Sequence, residues 1–114
     1  MQAEEERDNM TIQEIIDAHN EWAFHNFPTA EKWEPLVGVQ EELGELCHAF
    51  LKSHQGIRTN ENHAESMADA VGDIQMYLWH FCALNGIDWE QSVRDVWETI
   101  SRRDWTKHKQ NGVE

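Results

Sequence analysis

Basic side chains are scarce in this sequence: nine lysines and arginines face 22 aspartates and glutamates, a net charge of -13. That balance repels nucleic-acid phosphates and anionic membrane surfaces, so no nucleic-acid polymer and no membrane is expected as partner, and cations are. Cysteine is scarce too. Cys47 and Cys82 sit in apolar helical patterns with no CxxC spacing, which argues against a zinc or redox pair and predicts two reduced core thiols. Long apolar runs are missing, and none approaches the roughly 20 residues that cross a bilayer. The opening MQAEEERDNM is acidic and polar, unlike a signal peptide, so the expectation is a soluble, cytoplasmic protein. Strand alternation, internal repeats and low-complexity blocks are also missing, which leaves no pattern for a sheet or a solenoid.

What is present is helical periodicity. The 114 residues suit a single domain, and 39% hydrophobic with 27% charged residues is an ordinary folded composition. Residues 1–10 read as a flexible acidic leader and 108–114 as a flexible tail, leaving 11–107 as the helical domain. TIQE at Thr11 to Glu14 is a capping box that opens a helix over about 11–26, and NFP closes it, because Phe27 before Pro28 is pushed out of the α region. Pro35 suits the first turn of a second helix and Gly56 its left-handed stop. A third helix is expected from about Glu61 to Asn85, and a fourth from the Asp88 cap to about Trp105. Four amphipathic helices joined by short turns predict an all-α, four-helix bundle-like fold.

The second helix carries the unusual feature. At about 100° per residue, Leu36, Val39, Leu43, Leu46 and Phe50 form its apolar stripe, while Glu42 and Glu45 occupy one shoulder with Glu41 slightly further round. Gly38, Ala49 and Lys52 share that shoulder, so small residues are expected to leave room beside the carboxylates. The third helix repeats the arrangement with Asp73, Asp69 one turn earlier and Glu65 beyond it. If the shoulders face each other, Glu42, Glu45, Asp69 and Asp73 converge. Like charges at i,i+4 each cost about 0.2–0.5 kcal/mol when exposed, and more when buried. Either some carboxyls stay protonated or a cation holds them, and all-oxygen ligands favour Mg²⁺ or Mn²⁺ over zinc.

EELGE on one helix followed by DAVGD on the next resembles the MazG-like all-α nucleotide pyrophosphohydrolases, in particular their small phage and bacterial branch. That family pairs an ExxE helix with an ExxD helix. The resemblance covers roughly Trp22 to Lys107 and includes NFP, LKSHQGIR and RRDW. It implies hydrolysis of nucleoside or deoxynucleoside triphosphates to the monophosphate and pyrophosphate, with Mg²⁺ or Mn²⁺ held by the acidic motifs, in a homodimer or homotetramer. Glu42 and Glu45 match ExxE and Asp73 the aspartate of ExxD. The glutamate of ExxD falls at Ala70, so Asp69 is its expected substitute and Glu65 the reserve. Glu41, beside the ligands, is the candidate catalytic base.

A triphosphate brought to an acidic site needs cationic side chains as well as metal. Lys52 and Arg58 are nearest in sequence, and Arg103 and Lys107, with Arg102, resemble the basic segment that closes such sites in the family. A base pocket needs flat apolar surface with a few polar groups, for which Trp22, Asn26, Phe27 and Trp33 are candidates. Two other classes fit parts of the pattern. One is a non-catalytic acidic helical module that binds a basic partner. The other is a di-iron carboxylate protein, suggested by ELCH at Glu45 to His48 but lacking a second ExxH.

Overall fold

The computed structural model describes residues 2–108, and these contain helices and no strand. The helices are α1 (Gln2–Asn9), α2 (Ile12–Asn26), α3 (Glu34–Gln55), α4 (His63–Asn85), α5 (Trp89–Ile100) and the single turn α6 (Trp105–His108). Local chemistry sets most of these limits. Thr11 caps α2 through a complete capping box with Glu14, and Pro35 lies in the first turn of α3. Gly56 and Gly86 end α3 and α4 in the left-handed conformation, with φ of 68° and 67°, where a side chain is disfavoured. Asn62 caps α4 and Asp88 caps α5, each accepting an amide three residues on.

Two limits differ from expectation. Residues 2–9, expected as a frayed leader, form α1, whose first turn carries Glu4 and Glu5 and whose last carries Arg7, in the sense that complements the helix dipole. None of α1 is buried. The last long helix stops at Ile100 rather than Trp105. Ser101 closes that helix, its amide donating to the Trp97 carbonyl at 2.9 Å, and further on the Asp104 side chain accepts the Thr106 amide at 3.0 Å to start a new turn. Met1 and 109–114, which include nearly all of the expected tail, lie outside the described residues.

The core is built on a helical hairpin. α3 and α4 pack closely along their lengths and α2 crosses α4. The α3 surface turned inward is rotated from the one expected toward the acidic shoulder, with Val39 and Leu46 of the stripe still half-buried. Pro35, Gly38 and Ala49 are its buried residues, whereas Leu36, Leu43 and Phe50 of the apolar stripe are 48%, 44% and 62% exposed. Cys47, expected in the core, is exposed on the same side, while Cys82 is buried and both thiols are free. Close approach of two helices requires small side chains, so the small-residue shoulder wins the interhelix contact. Ala70, Trp79, His80 and Cys82 are the α4 contribution, met by Ile16 and Ala23 of α2. α5 buries nothing: Val93, Val96 and Trp97 on its apolar side are 49%, 58% and 64% exposed.

Candidate active site

Register in the α3–α4 hairpin is fixed where Gly38 meets Tyr77. A Cβ on Gly38 would stand 2.5 Å from Cδ1 and Cε1 of the Tyr77 ring, so only glycine admits the ring there. The room expected beside the carboxylates is therefore filled by an aromatic side chain. One helical turn on from Gly38, and one turn back from Tyr77, Glu42 and Asp73 line the same cleft. By the same antiparallel register Glu45 comes level with Ala70.

The cleft has a volume of about 490 Å³, within the range of small-molecule sites. Its aromatic walls come from Trp22 and Phe27 of the α2 end and Tyr77 of α4, with His19 and His80 beside them. Trp22 and Phe27 meet edge to face, 5.7 Å apart at 83°. A second cleft of about 440 Å³ lies on the other side of Phe27, Tyr77 and His80, and takes in Asn26, Glu34 and Glu41.

Electrostatics single out Glu42. Its Oε2 is buried and has no hydrogen-bond partner. Burial, then the negative charges of Glu45 and Asp73, a proton-sharing hydrogen bond with Glu45 and the charge of Glu41 hold its carboxyl above the ordinary glutamate value. The charges of Glu45, Asp73 and Glu41 thus all bear on Glu42. Asp69 is exposed and lines neither cleft, because the inward position of that turn is Ala70, 3% exposed. Glu65 is occupied at the α4 cap with Asn62. Among the described residues, no group of three or more histidine, cysteine or acidic side chains is placed so that it could hold a metal ion. A buried carboxyl crowded by other carboxylates is relieved either by keeping its proton or by a cation.

The expected phosphate ligands are dispersed. Lys52 is half-buried and donates to Gln55 at 3.4 Å. Arg58, at a positive φ of 52°, points its guanidinium to within 3.4 Å of His48 Nε2. That contact turns the histidine of ELCH toward the α3–α4 turn. Arg103 stacks 5.7 Å from the Trp105 ring centroid, and Lys107 pairs with Asp104 at 3.8 Å. Asn26 donates to the Trp22 carbonyl at 2.8 Å and lines the second cleft. Trp33 is exposed and lines neither cleft.

Sequence reasoning missed the two histidines of the cleft. Burial lowers the pKa of both, with Asn20 opposing at His19, and Nδ1 of His19 and Nε2 of His80 are buried without partners. The signal was spacing: Asp73, Tyr77 and His80 recur at helical intervals on α4, as do His19 and Trp22 on α2.

No family model, no curated protein and no solved structure matches this chain. Its resemblance to a known family therefore rests on the motifs themselves.

Proposed function

We propose that this chain is a Mg²⁺- or Mn²⁺-dependent nucleoside triphosphate pyrophosphohydrolase with the MazG-like all-α bundle, releasing monophosphate and pyrophosphate. The observation that carries the reading is the unpaired, buried Oε2 of Glu42, raised in pKa among acidic neighbours and set in a cleft walled by Trp22, Phe27 and Tyr77. A charge-concentrating acidic end and a flat aromatic end in one cavity match a polyphosphate on a heterocycle.

In this reading Glu42, Glu45 and Asp73 would hold the cation, and Asp69, outside the cleft, would not. When bound, the ion would supply charge neutralisation at the polyphosphate. Glu41, in the adjoining cleft, accepts a proton from the attacking water. The water oxygen bonds to phosphorus, the bridging P–O bond breaks, and pyrophosphate leaves with the released electron pair. Trp22 and Phe27 hold the base, and Asn26 orders the end of α2 that carries them. Lys52 and Arg58, both on the α3–α4 hairpin, are the phosphate partners. Arg103 and Lys107 are committed to Trp105 and Asp104, which makes them a separate basic group at the chain's end.

We further take the working form to be a homodimer or homotetramer in the cytoplasm. Exposed apolar side chains on α3 and α5 support this, and among the described residues no helix is long and apolar enough to cross a membrane. The decisive assay is a panel of ribo- and deoxyribonucleoside triphosphates with Mg²⁺, scored for monophosphate and pyrophosphate together. Release of both from at least one substrate is expected. Silence across the panel would remove the reading and favour a non-catalytic acidic module.

A further inference from the structure

His80 has features that metal and phosphate chemistry leaves unused. It is 6% exposed, its Nε2 has no hydrogen-bond partner, and it walls both clefts. An imidazole serving only the core would close that bond, since a buried polar atom left unpaired is costly. Among the described residues it belongs to no metal-ligating group. Phosphate is a poor match as well. Burial holds the ring below the ordinary histidine value and hence neutral, with His19 acting in the same direction and Glu34 opposing.

A neutral imidazole offers one donor and one acceptor nitrogen. Here it offers them beside flat apolar rings. Phe27 lies 6.3 Å away with the planes at 33°, and Phe24 meets it edge-on at 6.2 Å. Phe27 and Trp22 are themselves about half exposed, at 51% and 54%, so their faces are open to a ligand. An unpaired polar edge next to open aromatic faces is what a planar heterocycle requires.

Building on the nucleotide reading above, we propose that His80 is the specificity-determining residue, its imidazole hydrogen-bonding the edge of a nucleobase that lies against Phe27. Its partner on the ligand is a ring nitrogen, carbonyl or exocyclic amine. The site therefore discriminates among bases by what they present at that edge, rather than by ring size alone.

The test compares wild type, His80→Phe and His80→Gln. Each is titrated with the four common deoxynucleoside monophosphates without added metal, following tryptophan fluorescence, while triphosphate hydrolysis is measured in parallel. Wild type is expected to bind its best base at least about tenfold more tightly than its worst, and His80→Phe to bring all four within about threefold. Phenylalanine keeps the ring and removes its polar edge, so the loss should fall on the preferred base. His80→Gln keeps a polar edge but moves it, and should change the order of preference. An unchanged order in His80→Phe overturns the proposal, as does wild type that binds no base selectively. If His80→Phe does not fold, an unchanged order in His80→Gln overturns it instead. Selective base binding without hydrolysis of any triphosphate would remove the pyrophosphohydrolase reading and leave this one standing.

Discussion

At the scale of single residues, Glu42 trades stability for a charged site. Its carboxyl titrates above the ordinary glutamate value, chiefly through burial and then through Glu45, Asp73 and Glu41. The folded chain therefore holds this proton more tightly than the unfolded chain, and Glu42 costs stability increasingly as pH rises from the ordinary glutamate value through the raised one. Glu42→Gln should melt higher than wild type at neutral pH without metal, with the gap closing on acidification. The same variant should lose most of the rise in melting temperature that Mn²⁺ gives wild type, because a ligand stabilises only the state that binds it. Equal metal-induced shifts in the two proteins would remove Glu42 from the ligand set.

Gly38 and Gly44 make a paired test on the same helix. A Cβ at Gly38 collides with Tyr77, whereas a Cβ at Gly44 meets nothing within 4 Å. Overpacking costs about 1–3 kcal/mol, against a helix-propensity gain near 1 kcal/mol for replacing glycine. Gly38→Ala should therefore destabilise by up to about 2 kcal/mol and reduce nucleotide binding by displacing Tyr77, while Gly44→Ala should stabilise by about 0.4–1 kcal/mol. Denaturant melts of the two variants check both signs.

At the scale of elements, the helix ends were legible because their causes are local. The Thr11 capping box, the Pro35 start, the Gly56 stop and the Asp88 cap each depend on residues within a few positions of one another. The facing of α3 was not legible. Its hydrophobic stripe and its small-residue shoulder both qualified as a packing face, and only the contact between Gly38 and Tyr77 decides for the shoulder. His80 was hidden for a related reason, since a histidine becomes informative only when its burial and missing partner are known. Arg103 and Lys107 lie after the end of α5 at Ile100, around a turn begun by Asp104 that keeps Lys107 near its own neighbour.

For the whole molecule, one chain leaves too much apolar surface uncovered. The accessible area is 8947 Å² for 13.4 kDa, where a folded monomer of that mass exposes roughly 6,500 Å². The radius of gyration is 17.9 Å, against about 13 Å for a compact chain of about 100 residues. The excess is of the order that permanent subunit interfaces bury, about 2,000 Å² or more. Light scattering should give at least twice the chain mass, and Val96→Glu with Trp97→Glu should lower it while also lowering the melting temperature. A monomeric wild type would contradict the oligomer.

By itself the sequence determined the all-α class, the helix caps and stops, and the acidic shoulder on α3, because each arises from near neighbours or from charge on one helix face. Tertiary structure alone decided that this shoulder packs inward and that Leu36, Leu43 and Phe50 of the apolar stripe are left exposed. It also decided that Ala70 displaces Asp69 from the cleft, and that His19 and His80 meet Trp22 and Phe27 there. Those outcomes depend on which helices approach closely enough to exclude water, a property of pairs of helices that no single helix carries.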